Sequence, residues 1–233
     1  MYRRPTPPHF ETERKQLMNP QKRILMIATS NTVMGNSGKL TGIWADELAV
    51  PYYLLTDAGA DVVLASPLGG PVTLDPGSIK PAGQNDPLVD RFLTDPVAQA
   101  KALATHCAAQ MDASSFDAVF FPGGHGTMWD LPTDAGVTRA VEAAFAAGKL
   151  IASVCHGAAG LVTARRRDGE PVVKGLRGCQ LGIVCRARRS AHHRAEPAIL
   201  RTGGTTRAPG ADGIAPESNP CLYASTRSDN HQN

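Results

Sequence analysis

The sequence lacks the features of several protein classes. Its apolar runs are far shorter than the roughly 20 residues of a membrane-spanning helix, so no membrane insertion is expected. Arg3 and Arg4 are not followed by an apolar segment, so no secretory signal is expected either. The five Cys include no Cys-x-x-Cys pair, which argues against a disulfide framework and against a structural zinc site. We therefore expect a cytoplasmic protein without a metal or cofactor.

An excess of charge is also missing from most of the chain. The net charge is +3, but from Cys179 onward there are seven Arg, no Lys and four acidic residues. The remaining residues carry 17 basic and 17 acidic side chains. Nothing in this balance indicates nucleic acid binding.

The hydrophobic pattern predicts an α/β protein with a mostly parallel sheet. Short apolar segments of strand character alternate with longer segments of helical character. The predicted strands are 23–29, 61–67, 116–121 and 149–154, and the predicted helices are 41–59, 95–110 and 134–148. Pro51 is expected to break or kink the first of these helices. The predicted organisation is a mobile N-terminal extension over 1–20, one domain over 21–178 and an atypical tail over 179–233.

Three separate loops are predicted to meet at one edge of this sheet. They are the Asn/Gly/Ser-rich stretch 30–39, the Pro-Gly-Gly-His-Gly stretch 122–126 and the turn at Cys155. Each follows a predicted strand, and ligands of open parallel sheets bind beyond the carboxyl ends of the strands. The long Pro/Gly/Asp loop 71–87 is of the kind that often walls a site.

Cys155 lies where a strand gives way to a helical segment of small residues. A nucleophile on such a bend is exposed, and the N–H groups of the following helix favour its thiolate. The alternative is a buried, inert cysteine with a histidine beside it by chance.

Four stretches of the chain resemble the DJ-1/PfpI superfamily, which shares the class I glutamine amidotransferase-like fold. They are TGIWADELAVPYY at 41–53, ASPLGG at 65–70, FPGGHGTMWD at 121–130 and ASVCHG at 152–157. The nearest similarity is to the Hsp31-like glyoxalase III branch. The resemblance implies a flavodoxin-like three-layer sandwich and commonly a homodimer. It also implies action on small reactive carbonyls, as a glutathione-independent glyoxalase, with protein deglycase and chaperone roles that are more debated.

The resemblance also assigns roles within the site. Cys155 matches the nucleophile, Glu47 the acidic residue against it, and His156 a general acid or base. Gly124 matches an oxyanion donor, and Gly123 and His125 line the pocket beside it. A solvent-exposed Glu and a loop His bonded to backbone are the simpler readings of Glu47 and His125. Other candidates are weaker, since Trp44 and Trp129 suit packing, Asp46 suits solvent and no ligand spacing supports zinc at Glu47 and His125.

The tail departs from the family pattern after Gly178. Its only aromatic residue is Tyr223, and it shows no sustained period of strand or helix. Its Arg/Ala/Pro/Gly/His mixture is what a GC-rich gene gives out of frame, so we hypothesise a frameshift near codons 176–180. A naturally disordered tail is the alternative. In either case the third residue of the family's Cys–His–acid triad has no match, and the domain is predicted to be incomplete.

The function expected from the sequence is conversion of methylglyoxal to lactate by a cysteine-dependent lyase. The alternatives are a non-catalytic stress chaperone on the same fold, an inactive truncated relative, and an amidotransferase-like hydrolase.

Overall fold

A computed structural model describes residues 20–175, with all side chains, and the backbone of residues 178–179 and 182–186. The predicted N-terminal extension lies outside the described residues except for Pro20, and so does the tail from residue 187 onward. The predictions of a mobile extension, a frameshift and a disordered tail therefore stay predictions.

The first strand, β1, shows why the sheet is buried on both faces. Leu25 and Ile27 pack into one hydrophobic core, whereas Ile24 and Met26 pack into a second core on the other side. Side chains alternate between the two faces of a strand, so a continuous apolar run fits a sheet covered on both sides.

Seven strands form one sheet in the order β3-β2-β1-β4-β5-β7-β6. The pairs from β3 to β5 are parallel, and β7 runs antiparallel to both β5 and β6. The order β2-β1-β4-β5 is that of a flavodoxin-like sheet, and the two-residue β3 extends one edge. The strands are β1 Arg23–Ile27, β2 Asp61–Ser66, β3 His106–Cys107, β4 Ala118–Phe121, β5 Leu150–Val154, β6 Gly178–Cys179 and β7 Gly182–Arg186.

Helices cover both faces and complete the three-layer sandwich. The helices are α1 Ala45–Asp57, α2 Pro87–Thr94, α3 Pro96–Leu103, α4 Thr127–Asp130 and α5 Ala135–Ala146. Helices α1, α2 and α3 contribute to the core that contains Tyr53 and Phe92. Helix α5 contributes to the opposite core, around Phe116 and Phe121. The predicted flavodoxin-like α/β fold is confirmed.

Two predicted helices have different bounds in the structure. Helix α1 begins at Ala45 rather than Thr41 and continues through Pro51 without a break. The ring of Pro51 is buried, so packing offsets the loss of one backbone hydrogen bond. Helix α3 ends at Leu103 rather than Gln110, because the chain there pairs with β2 as strand β3.

The sheet also extends past the boundary suggested at Gly178. The sequence indicated no strand there, but β7 pairs antiparallel with β5, and β6 pairs antiparallel with β7. Within the part of the chain that the structure describes, no helix is long and apolar enough to cross a membrane.

Candidate active site

The candidate site lies at the carboxyl edge of the parallel strands, where the strand order reverses. From β1 the chain moves to β2 on one side, and β4 and β5 follow on the other side. Gly123 and Gly124 come directly after β4, and Cys155 comes directly after β5. This is the position at which open α/β sheets bind their ligands, and the Gly123–Gly124 loop and the Cys155 turn lie there as predicted.

Cys155 adopts a strained backbone conformation. Its φ is 51°, and it is the one non-glycine residue with positive φ among the described residues. The chain turns there from β5 into a 3₁₀ helix, Cys155–Leu161, where the sequence suggested an α-helix. The turn packs so closely on β4 that a Cβ at Gly157 would overlap the carbonyl oxygen of Phe121. The sharp bend leaves Cys155 exposed, and strain of this kind concentrates at functional sites.

The surroundings of the Cys155 thiol act on it in opposite directions. Partial burial has the largest effect and raises the pKa of the thiol, and the neighbouring Glu47 carboxyl group raises it further. The backbone N–H groups of His156 and Gly124 lower the pKa, because they stabilise negative charge on sulfur. The N–H groups thus favour the thiolate as expected, but burial and Glu47 outweigh them, and the net direction of the pKa is upward.

Glu47 extends from the first turn of α1 toward the thiol. Burial raises the pKa of its carboxyl group, and contacts with Cys155 and with the Gly123 backbone lower it in part. Its Oε2 atom is buried and has no hydrogen-bond partner of good geometry among the described residues. Glu47 is therefore no solvent-facing acid, whereas its neighbour Asp46 is exposed as expected. A carboxyl group next to a thiol can accept the thiol proton and return it.

Pro51 acts on the backbone at Glu47. A proline four residues further along a helix cannot donate to the carbonyl of the earlier residue. Because Pro51 lies within α1, the Glu47 carbonyl lacks its usual helical partner. The helix is thus weakened at the residue that reaches the site.

The two glycines after β4 allow this loop to lie against the start of α1. Gly124 has φ of 114°, and a Cβ there would lie 2.6 Å from Trp44 N and 2.8 Å from Ile43 Cα. The Trp44 N–H donates to the Gly123 carbonyl at 3.2 Å, which fixes the start of α1 to this loop. Only glycine fits such a position.

His156 and His125 stand side by side. His156 Nδ1 lies 3.3 Å from Cys155 Sγ, and the two imidazole centroids are 5.1 Å apart. Within residues 20–175, His156 forms no ion pair with a carboxylate, and the prediction that the triad lacks its third residue stays a prediction. His125 does have one: its Nδ1 lies 3.7 Å from Asp75 Oδ2.

Asp75 was missed by the sequence analysis. It belongs to the loop 71–87, which was correctly expected to wall the site, but it is 50 residues from His125 along the chain. The available signal was the Asp-Pro-Gly sequence, since Asp75 caps the 3₁₀ turn Pro76–Ser78 and thereby becomes fixed.

An apolar cavity of about 380 Å³ opens beside the nucleophile. Its lining is almost entirely hydrocarbon: it includes Cys155 and His156 together with Met128, Pro132, Ala158, Ala159, Leu161, Val162 and Val173. Met128 and Val162 are more than half exposed. The structure thus brings all six predicted site residues to one edge, and no cluster of three metal-ligating side chains occurs among the residues it describes.

The family model of the DJ-1/PfpI family matches residues 41–174, more than half of the chain. This chain belongs to the DJ-1/PfpI family. The match contains Glu47, the Gly123–Gly124 loop and the Cys155 turn, so it covers all the candidate residues described above.

Similar proteins within the DJ-1/PfpI family carry the names of enzymes. Glyoxalase 3 of Candida albicans is 27% identical over 158 residues, covering 66% of this chain and 66% of that protein. Protein/nucleic acid deglycase HchA of Pseudomonas aeruginosa is 31% identical over 150 residues, covering 62% of this chain and 51% of that protein. The chain therefore spans about two thirds of the first relative and half of the second.

Two solved structures are also similar to this chain. Rapid Encystment Protein 24 kDa of Francisella tularensis is similar with a TM-score of 0.61 and 35% identity, covering 66% of this chain and 67% of that one. Glyoxalase III of Candida albicans is similar with a TM-score of 0.58 and 27% identity, covering 66% and 65%.

Proposed function

We propose that this chain is a glutathione-independent glyoxalase that converts methylglyoxal to lactate with Cys155 as its nucleophile. The observation that supports it most is the set of groups around one sulfur atom. A strained, exposed cysteine faces the Glu47 carboxyl group, an imidazole and two backbone N–H groups.

The first step is addition of Cys155 Sγ to the aldehyde carbon. A carbon–sulfur bond forms, and the thiol proton passes through Glu47 or His156 to the carbonyl oxygen, which gives a hemithioacetal. The N–H groups of His156 and Gly124 stabilise the charge that develops on oxygen.

The second step moves the hydrogen of this carbon to the neighbouring keto carbon as a proton, through an enediol. One carbon is oxidised to a thioester while the other is reduced to an alcohol, so no external oxidant is needed. Water then cleaves the thioester, releases lactate and returns the Cys155 thiol. Cys155 takes the place of glutathione throughout.

The test is formation of D-lactate from methylglyoxal by the purified chain without glutathione. Cys155→Ala should abolish it. Cys107→Ala is the matched control, because Cys107 Sγ bonds to the Pro67 carbonyl at 3.2 Å, outside the site. Equal turnover by Cys155→Ala would overturn the proposal. Equal inertness of wild type and Cys155→Ala, with suppression of aggregation by both, would support the chaperone alternative.

The open cavity favours protein deglycation as a second activity. A volume of about 380 Å³ beside an exposed thiol is far more than a three-carbon dicarbonyl fills. It would admit a side chain that carries a methylglyoxal adduct. The assay is release of free N-acetylarginine from its methylglyoxal adduct, with Cys155→Ala as the negative control. Free methylglyoxal must be trapped, so that its spontaneous release is not counted.

A further inference from the structure

The glyoxalase reaction proposed above requires proton transfer at two places, sulfur and carbon. His156 Nδ1 faces Cys155 Sγ at 3.3 Å, so this imidazole is placed to serve the thiol. A second imidazole, that of His125, lies with its centroid 5.1 Å from that of His156 and its plane tilted by 37°. The side chain of His125 is 45% exposed, so its ring is accessible from solvent.

His125 faces a carboxylate that is itself firmly held. Asp75 is buried, its Oδ1 accepts from Gly77 N at 2.8 Å, and its Oδ2 accepts from Thr41 Oγ1 at 2.8 Å. Asp75 Oδ2 lies 3.7 Å from His125 Nδ1. This is an ion-pair distance rather than a hydrogen bond, and catalytic hydrogen bonds are often long before substrate binds.

Among the described residues, Asp75 is the group that pairs with His125 Nδ1. The Trp44 ring packs edge-on against the imidazole, with the ring centroids 6.3 Å apart, and Glu47 acts on His125 only through its charge. A carboxylate at Nδ1 fixes the tautomer and orientation of an imidazole and leaves Nε2 for the substrate.

We propose that His125 and Asp75 form an acid–base dyad in which His125 moves the carbon-bound proton and Asp75 positions the ring. His125 Nε2 accepts the proton from the hemithioacetal carbon, which leaves an enediol bound to Cys155 Sγ. The same nitrogen returns the proton to the neighbouring carbon, which gives the thioester. The dyad thus meets the need for an imidazole–carboxylate pair that His156 lacks in the described part of the chain.

The test is a double-mutant cycle on lactate formation. His125→Gln should lower kcat by about 10²–10⁴-fold, the usual contribution of a general base, with a much smaller change in KM. Asp75→Asn keeps an oxygen for Gly77 N and should lower kcat as well. In the His125→Gln background, Asp75→Asn should have no further effect, because it acts through His125. Independent, multiplicative losses would overturn the dyad.

Three further experiments separate this proposal from folding and from the function itself. Asp117→Asn removes a carboxylate that binds Arg23 N and Lys22 Nζ at the opposite end of the sheet, and kcat should not change. If Asp75→Asn does not fold, Thr41→Val can replace it, because it removes the hydrogen bond from Thr41 Oγ1 to Asp75 Oδ2. Thr41→Val should then lower kcat in wild type but not in the His125→Gln background. By mass spectrometry, His125→Gln should still add one methylglyoxal to Cys155. Full turnover in His125→Gln overturns the dyad, whereas full turnover in Cys155→Ala overturns the glyoxalase proposal.

Discussion

The backbone of Gly123 lies directly against the carboxyl group of Glu47. A Cβ at position 123 would overlap Glu47 Oε2 and would lie 2.9 Å from Cys155 Cβ and from Val154 O. Because Gly123 has no side chain, the Glu47 carboxyl group and Cys155 can both pack against its backbone.

Gly123→Ala should damage the site more than the fold. Overpacking of this kind costs about 1–3 kcal/mol of unfolding free energy, and displacement of Glu47 should lower kcat/KM at least about tenfold. The measurement is thermal unfolding alongside lactate formation. Glu47→Asp, one methylene shorter, should reduce the stability cost of Gly123→Ala. An equal cost in both backgrounds would contradict the contact described here.

Glu47→Gln should make the Cys155 thiol more acidic while it lowers turnover. Glu47 raises the pKa of Cys155 by its charge and its hydrogen bond, so its neutral isostere should shift iodoacetamide alkylation of Cys155 to lower pH. Turnover should fall because the proton shuttle is lost.

Peptide mapping assigns the alkylation to Cys155 among the five Cys of the chain. Asp46→Asn is the matched control, since this neighbouring acid acts on Glu47 but not on the thiol. An unchanged or higher alkylation midpoint in Glu47→Gln would contradict the electrostatics of the pair.

Most of the fold could be predicted because it depends on local pattern. The run 23–27 is apolar at every position after Arg23, which is typical of a strand covered on both faces. Strand β3 was missed because two residues show no periodicity; its pairing with β2 is a tertiary contact. Pro51 was misjudged for the same reason, since burial overrode a local helix-breaking tendency.

The site was predictable where a motif carries it and not where distance along the chain separates its parts. Cys155, Gly123 and Gly124 each follow a strand, so their common edge was expected. The pairing of Asp75 with His125 depends on how the loop 71–87 folds over that edge. The rise in the Cys155 pKa also could not be predicted, because it results from burial and from a residue on another helix.

Backbone strain at Cys155 should lower the free energy of unfolding, so a substitution that relieves the strain should raise it. An L-residue in the left-handed region costs roughly 1–2 kcal/mol relative to an unstrained one, and glycine avoids most of this cost. Cys155→Gly should therefore be more stable than Cys155→Ala, which keeps the strain at φ of 51°. Denaturant unfolding of both variants measures the difference. At Ala158, where φ is not positive, Ala158→Gly should destabilise instead, and the same sign at both positions would contradict the strain.

Glu47 and Asp117 should give the stability opposite dependences on pH. The pKa of Glu47 is raised by burial in the folded protein, whereas an unfolded Glu titrates near about 4.3. The folded state holds this proton longer, so the stabilising contribution is complete below pH of about 4.3 and is lost as pH rises through the folded pKa. The Gln side chain of Glu47→Gln does not titrate. The melting temperature of this variant should therefore rise relative to that of wild type from pH 4 to pH 7.

Asp117 provides the contrast. Hydrogen bonds from Arg23 N and Lys22 hold its pKa below the ordinary value. Its contribution is therefore present above an unfolded pKa of about 3.9 and is lost as pH falls through the folded pKa. The melting temperature of Asp117→Asn should fall relative to that of wild type as pH rises from 3 to 5, because only wild type gains this stabilising contribution. Thermal unfolding of the three proteins at matched ionic strength measures both slopes, and slopes of the same sign would show that burial does not govern the Glu47 carboxyl group.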